Sequence, residues 1–458
     1  MATVTRENIG TQHDKITVKL TREDYWPSFE KSLKQYAKQA NVPGFRKGMV
    51  PTGMIRKMYG PSLFGDEVFR VAGRQLEEYL KNEKVSIFAQ PLIAQGTTLN
   101  IDMNNPVEMD FDFEIGLKPD FEIPALKDKK PLTKYKIEVD DKMLTDEVDR
   151  IRRRYGKVED AEIIESKDNL LYASYEACDE HGNVAEDAAK VDDTSMLETL
   201  PPKLQELLMG KKANDFLIIR PADLAADRDL EAFMNKPLKA PTADPSQSFK
   251  LTISKVGLLH PRDLDTELYL QVFPNDMITT EEAFRDRIAQ DLHKEFDRIA
   301  ADRLHNEIYE LLVHNTPINL PVDFLKRWMK EGQEKPKSEA EVEREFPSFD
   351  HQLRWTLISD KLIADNHIEV SIDEVKDDVR KRVLAYFGME NDEEATWMDS
   401  YMAKVEKDNK TMDETYRRIL FDRLFAWLET QFAVEEKSIS DDAFFKLSDP
   451  HAAHHHHH

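Results

Sequence analysis

A long C-terminal stretch with helical patterns and no strand pattern constrains this chain most. From Leu264 onward apolar residues recur at steps of three to five, most regularly from Phe284 to Leu311. This spacing predicts amphipathic helices, each with one apolar face. A charged, proline-containing interruption at 333–349 predicts a break between two of them. We therefore predict an all-α C-terminal domain over 261–446, built from helical hairpins.

The N-terminal quarter has a different pattern. Val107–Leu117 alternates apolar and acidic side chains, and Ile16, Val18 and Leu20 alternate with polar residues in the same way. Period-two alternation predicts antiparallel strands with one face in water. Helical spacing over 21–40, and again from Pro51 to about Asn82 with a break near Gly60-Pro61, predicts two helices. Residues 1–117 are therefore predicted to form one α+β domain.

Strand patterns return in the middle of the chain. Residues 118–158 are charged and rich in proline at first, and then helical, which predicts a linker and a connecting helix. Strand patterns near 170–177, 216–219 and 249–256 predict a second, β-rich domain over 159–260. Residues 447–458 are predicted to be a tail, since HAAHHHHH is typical of an expression tag.

Composition excludes several classes of protein. The chain has 458 residues, 40% of them apolar and 33% charged, which excludes a disordered chain. The single cysteine, Cys178, allows no internal disulfide, and no long apolar run predicts a signal or a membrane span. A cytoplasmic protein is expected. No phosphate-binding loop, nucleophile elbow or metal-ligand spacing occurs, so we predict no catalytic residue, metal or cofactor site.

The net charge of −24 argues against nucleic-acid binding, but its distribution does not. The segment from Lys31 to Tyr59 holds seven basic and no acidic side chains, which leaves −31 on the rest of the chain. A solvated helix face without a partner is one interpretation. Phe45, an aromatic residue between glycine and arginine, favours docking on a protein surface beside phosphate. The basic residues are Lys31, Lys34, Lys38, Arg46, Lys47, Arg56 and Lys57.

The loop Gly44–Pro51, GFRKGMVP, resembles the GFRxGKxP signature of bacterial trigger factor. Met49 stands where that signature usually has a second lysine. The resemblance continues in Pro119–Ile123 and in the Ile318–Pro321 break that opens a helical arm. It covers the whole chain in domain order, and it implies an elongated, multidomain α+β molecule with a ribosome-binding domain, an FKBP-like domain and a helical domain with arms.

The resemblance implies an ATP-independent chaperone that docks at the ribosomal tunnel exit and binds nascent or unfolded polypeptides. The ribosomal partners would be a ribosomal protein and adjacent RNA, and the free protein could form a homodimer; no membrane partner is expected. The implied docking residues are Gly44, Phe45, Arg46, Lys47, Gly48 and Pro51, supported by Lys31, Lys34, Lys38, Arg56 and Lys57. Candidate client contacts are Met389, Met398, Met402 and Met412, for which ordinary core packing is the alternative.

The middle domain occupies the place of the family's prolyl isomerase. Tyr175 lies near the position of one pocket aromatic, but the other aromatics of that pocket are not recognisable. Leu200–Leu204 stands where a Gly-Phe pair is usual. We therefore predict a degenerate FKBP-like domain with weak or absent isomerase activity. Two alternative functions stay open: a cytosolic prolyl isomerase acting through this domain, and a ribosome-independent holdase or assembly chaperone.

Overall fold

A computed structural model describes residues 2–43, 45–46, 48–96, 101–128, 130–185, 188–332, 335–389 and 397–447. The residues assigned to a tag lie outside these ranges. The chain forms two compact units: residues 1–133 with 303–435, and residues 134–302 with 436–458. The fold class, mixed helix and sheet in several domains, is confirmed.

The first part of the chain is an α+β domain. Its four-stranded antiparallel sheet has the order β1-β2-β4-β3, with Ile16 opposite Phe113 and Val18 opposite Phe111. The apolar residues of β2 and β4 are buried, as the alternation predicted. The elements are β1 Thr3–Gly10, β2 His13–Leu20, α1 Arg22–Gln39, α2 Thr52–Asn82, β3 Leu92–Ile93, β4 Met109–Gly116 and α3 Ala125–Asp128.

Two features of this domain differ from the prediction. β1 was not predicted, because it is the edge strand and nearly all its side chains are exposed, so no apolar alternation marks it. The break near Gly60-Pro61 is wrong, since α2 continues through it. An internal proline costs a helix about 3 kcal/mol, and burial of Ile55, Phe64 and Val68 on the same helix offsets this cost.

The middle of the chain contains a five-stranded antiparallel sheet of order β6-β10-β7-β8, with β9 also paired to β10. Its core includes Leu171, Leu204 and Leu251. The three predicted strands are confirmed, as β7, β9 and β10. The elements are β5 Pro131–Ile137, α4 Asp141–Arg154, β6 Lys157–Ala161, β7 Asn169–Cys178, β8 Lys190–Met196, α5 Pro202–Leu208, β9 Phe216–Ile219, α6 Pro221–Leu224, α7 Asp227–Asn235, β10 Ser248–His260 and α8 Thr266–Val272.

The last part of the chain is almost entirely helical. Leu304, Phe324, Ile358 and Leu428, from four different helices, share one core. The elements are α9 Glu281–Asn315, α10 Val322–Glu331, α11 Glu339–Asp365, α12 Ile372–Tyr386, α13 Met398–Val405, α14 Asn409–Gln431, β11 Ala433–Ile439 and α15 Asp441–Lys446.

Two predictions for this region are corrected. The interruption predicted at 333–349 ends at Ser338, whose side chain forms a capping box with Glu341 at the start of α11. Helix α11 then continues through Pro347 because Val342 and Phe346 are buried. The expectation of helix throughout is wrong at β11, which pairs with β5. No helix in the described part of the chain is long and apolar enough to cross a bilayer.

Candidate functional site

The basic loop, residues 43–49, lies between α1 and α2 and is fixed at both ends. Val42 and Val50, which flank it, are buried in the core of the N-terminal domain. Two turns shape it: the Phe45 N–H donates to the Val42 carbonyl at 3.0 Å, and the Met49 N–H donates to the Arg46 carbonyl at 2.9 Å. The base of the loop is therefore packed while its tip is held outside the core. Gly44 and Lys47 lie outside the described residues.

Phe45 and Arg46 lie at the exposed tip. The Phe45 side chain is 38% exposed, and Arg46 and Pro51 are also exposed. An aromatic ring in a loop whose neighbouring valines are buried is available for a partner, because the core beneath it is already filled without it. This is the placement that the sequence predicted for Phe45.

Gly48 is required by the loop geometry. Its φ is +80°, a conformation that L side chains rarely adopt, and a Cβ there would lie 3.1 Å from the Lys38 carbonyl oxygen. The glycine therefore allows the loop to pack against the end of α1. This close approach holds the loop against the end of α1 at Lys38.

The supporting cations divide into two groups. Lys31, Lys34 and Lys38 are exposed on successive turns of α1, and Lys57 is exposed on α2. Arg56 is half-buried, with its guanidinium 5.2 Å from the centre of the Trp26 ring. Arg56 therefore has a packing role that the sequence did not reveal.

The exposed cations of this surface are concentrated in one region and, within the described residues, have no carboxylate partners. Several cations elsewhere in the same domain have carboxylate partners, as in Arg6–Asp14 at 2.5 Å and Lys19–Glu108 at 3.2 Å. Over the described ranges, the exposed lysines Lys31, Lys34, Lys38 and Lys57, like Arg46, form no ion pair with the chain. Their charge is therefore available to an anionic partner.

Three methionines extend the exposed surface beside the loop, and sequence reasoning missed them as a group. Met49 is 70% exposed, and Met54 and Met58 are also exposed. The i, i+4 spacing of Met54 and Met58 was visible in the sequence and could have indicated one apolar helix face. Met49, which departs from the family signature, thus adds an exposed apolar side chain to the same loop as Phe45.

The four methionines proposed as client contacts lie in one core. Met398, Met402 and Met412 are buried between α12, α13 and α14, and Met389 packs partly buried against them. This placement supports the alternative interpretation, core packing. Client contact by these side chains stays a prediction.

Tyr175 is buried in the core of the middle domain. Its ring meets Phe233 edge-on at 6.5 Å, and burial raises the pKa of its hydroxyl. Leu200 and Leu204, where a Gly-Phe pair is usual, are buried in the same core. These side chains fill the interior of the domain rather than an open pocket wall. Within the described residues, no group of His, Cys, Asp and Glu is placed to hold a metal ion.

The fold and the loop together define a class: a multidomain binding protein with an exposed aromatic and unpaired cations on its N-terminal α+β domain. Three family profiles match the chain in succession. They are bacterial trigger factor protein over residues 2–151, the trigger factor FKBP-like domain over 158–261, and the trigger factor C-terminal domain over 301–448. The chain belongs to the trigger factor family.

Individual relatives are distant but similar over most of their length. The trigger factor of Salinibacter ruber is 22% identical, over 91% of both chains. That of Chlorobaculum tepidum is 23% identical, over 81% of this chain and 84% of the relative. A solved structure from work on promiscuous substrate recognition by the trigger factor chaperone covers 93% of this chain and 99% of its own, at 16% identity and a TM-score of 0.44.

Proposed function

We propose that this chain is an ATP-independent chaperone that docks on the ribosome at the tunnel exit, through the basic loop, and assists the folding of nascent or unfolded polypeptides in the cytoplasm. Members of the trigger factor family are ribosome-associated chaperones. The observation that carries the proposal is the exposed Phe45, on a loop with a packed base and next to unpaired cations.

The loop supplies two kinds of contact. The Phe45 ring can bury apolar area in a pocket of a ribosomal protein, where aromatic anchors contribute most of the binding energy. Arg46 and the lysines of α1 can contact RNA phosphates, which position a partner without reading sequence. The acidic remainder of the chain would repel RNA, so that the loop docks in preference to other surfaces.

Co-sedimentation with ribosomes tests this assignment. We expect Phe45→Ala/Arg46→Ala/Lys47→Ala to abolish binding while circular dichroism stays unchanged. The matched control, Lys437→Ala/Phe445→Ala/Lys446→Ala, also removes one exposed ring and two cations, from a different surface. It should bind as the unchanged protein does. Full binding by the loop variant would refute the site.

Salt dependence separates ribosome docking from a ribosome-independent chaperone. The logarithm of the binding constant should fall linearly with the logarithm of the salt concentration, by about 0.7–0.9 per phosphate contact. Lys34→Ala should make this slope less steep by about 0.7–0.9, the value for one phosphate contact. Capture of an apolar client should show little salt dependence, because it buries uncharged surface.

Two finer properties are part of the proposal. Homodimerisation of the free protein is proposed on the resemblance alone, and sedimentation equilibrium tests it. Isomerase activity is proposed to be weak or absent because Tyr175 and its neighbours fill the domain core. Rapid turnover of a proline peptide in a protease-free assay would contradict this.

A further inference from the structure

Three methionines form an exposed surface beside the basic loop. We call Met49, Met54 and Met58 the methionine patch. They are 70%, 38% and 48% exposed. Among the residues that the structure describes, five methionines are exposed, and three of the five belong to the patch. This concentration needs an explanation, since only exposed apolar residues that are scattered singly need none.

The patch is not an unfilled part of the core. Val50 and Ile55, which lie next to the methionines along the chain, are 5% and 0% exposed and pack in the core of the N-terminal domain. Met54 and Met58 lie one turn apart on α2, so their Cβ atoms are about 5–6 Å apart on the same helix face. Other side chains thus fill the core positions here, and the methionines are available to a partner.

The patch continues the loop that carries Phe45. The Met49 N–H donates to the Arg46 carbonyl at 2.9 Å, which places Met49 in the turn that follows Phe45. The Met54 N–H donates to the Pro51 carbonyl at 2.9 Å, at the start of α2. A protein surface that covers Phe45 would therefore extend onto the patch.

The chemistry of the side chains favours protein over RNA as the partner of the patch. A thioether carries no charge and no hydrogen-bond donor, so it does not bind phosphate as the nearby cations can. It is flexible and polarizable, and it adapts to irregular apolar surfaces. An apolar surface of a ribosomal protein, continuous with the contact of Phe45, fits these properties.

We propose that the methionine patch makes ribosome docking sensitive to oxidation. In the reduced state the thioethers bury against an apolar surface of a ribosomal protein, and their oxidation to sulfoxides by a peroxide weakens this contact. The proposal rests on the proposed ribosome docking and adds a modification site to the docking surface.

The reaction needs only the thioether and the peroxide. A lone pair of the sulfur attacks one oxygen of hydrogen peroxide, an S–O bond forms, the O–O bond breaks, and the second oxygen leaves as water. The sulfur is oxidised by two electrons and the peroxide is reduced. A sulfoxide oxygen needs a hydrogen-bond donor, so its burial against an apolar surface costs free energy. Methionine sulfoxide reductases reverse the change.

Ribosome titrations, read by co-sedimentation, test the proposal on the full chain. The protein is treated with dilute hydrogen peroxide, catalase removes the peroxide before ribosomes are added, and mass spectrometry verifies the sulfoxides. The variant Met49→Leu/Met54→Leu/Met58→Leu keeps apolar side chains but has no sulfur in the patch. The matched control, Met209→Leu/Met277→Leu, removes two exposed methionines outside the patch.

We expect oxidation to weaken ribosome binding by the unchanged protein and by the control variant by about ten- to 100-fold, since burial of apolar side chains is lost. The Leu variant should bind within about two-fold of the unchanged protein, both before and after peroxide. Met49→Gln/Met54→Gln/Met58→Gln, which imitates the polarity of the sulfoxides, should bind as weakly as the oxidised protein without any oxidant. Sulfoxide reductases for both epimers should restore binding of the oxidised protein.

Three outcomes overturn the proposal. An equal loss of binding by the oxidised Leu variant would assign the effect to another group, such as Cys178, which every variant retains. Full binding by the Gln variant would mean that the patch does not contact the ribosome. An untreated Leu variant as weak as the Gln variant would mean that the partner does not recognise apolar character. All three leave ribosome docking intact, whereas absence of binding by the untreated, unchanged protein would count against the proposed function itself.

Discussion

The contact between Arg327 and Glu114 joins α10 to the N-terminal sheet and allows a quantitative prediction. Arg327 Nη1 lies 2.7 Å from Glu114 Oε2, and both side chains are nearly buried, at 14% and 13% exposed. The guanidinium also donates to the Ile93 carbonyl. His13 Nε2 lies 3.1 Å from the same carboxylate oxygen. The Nη1 contact is an ion pair without an aligned hydrogen bond, so its attraction is mainly Coulombic.

Arg327→Met should lower the free energy of local unfolding around this ion pair by about 3 kcal/mol, because removal of one partner of a buried pair leaves the other charge desolvated. His13 stays near Glu114, which places the cost at the lower end of the range for such pairs. Replacement of both partners, Arg327→Met/Glu114→Leu, should restore much of the stability, since no buried charge is left unpaired.

Hydrogen-exchange mass spectrometry measures the effect locally, which a multidomain chain requires because global unfolding is not two-state. Peptides from β2, β4 and α10 should exchange faster in Arg327→Met by the factor that about 3 kcal/mol implies, about 150-fold. The control is Arg298→Met, which breaks the exposed i, i+3 pair with Glu295 and should cost less than about 0.5 kcal/mol. Equal effects of the two variants would refute the reasoning.

Three further predictions concern the loop and the helical region. Gly48→Ala should weaken ribosome co-sedimentation and lower the stability of the loop by about 1–2 kcal/mol, because residue 48 has a positive φ. Gly53→Ala, on an open face of α2, is the control and should stabilise the helix slightly. Hydrogen bonds from Arg423, and then from Ser371, lower the pKa of Glu374 to about 2. Their contribution to the folding free energy is present above the ordinary pKa of 4.5 and is lost as pH falls towards 2. Arg423→Ala should therefore raise the acid midpoint of α12 unfolding seen by circular dichroism. Met402→Ala should destabilise the α12–α14 core by about 2–4 kcal/mol in hydrogen exchange; unchanged stability with lost client binding would instead support the client-contact prediction.

Local patterns predicted much of the fold. The alternation in β4 and the helical spacing of α1 and α9 depend on neighbours within one element, and the structure confirms all three. Elements with weak patterns were missed: β1 has almost no buried side chain, and β11 follows a long helix without a turn signal. Pro61 and Pro347 were wrongly predicted to interrupt helices. The sequence does not show the burial of neighbouring side chains that offsets the free-energy cost of a proline inside a helix.

The candidate site shows the same division. Charge segregation and the Gly-Phe-Arg order predicted the basic loop from residues alone. The packing of Arg56 on Trp26 and the burial of Met398 and Met402 required the tertiary structure. The exposure of Tyr386 and Phe387 also required the tertiary structure, since apolar residues at helical spacing are usually core residues.

The sequence by itself determined the order of the domains, the strand and helix periodicities, and the position of a basic loop in an acidic chain, because these properties are local along the chain. Only the tertiary structure decided which cations stay unpaired, which prolines a helix accommodates, and which aromatic rings remain in water. These outcomes depend on packing between residues that are distant in sequence, such as Gly116 against Phe324, or Met402 and Val379 in one core. Burial decides each of them, and burial belongs to the packed molecule rather than to any segment.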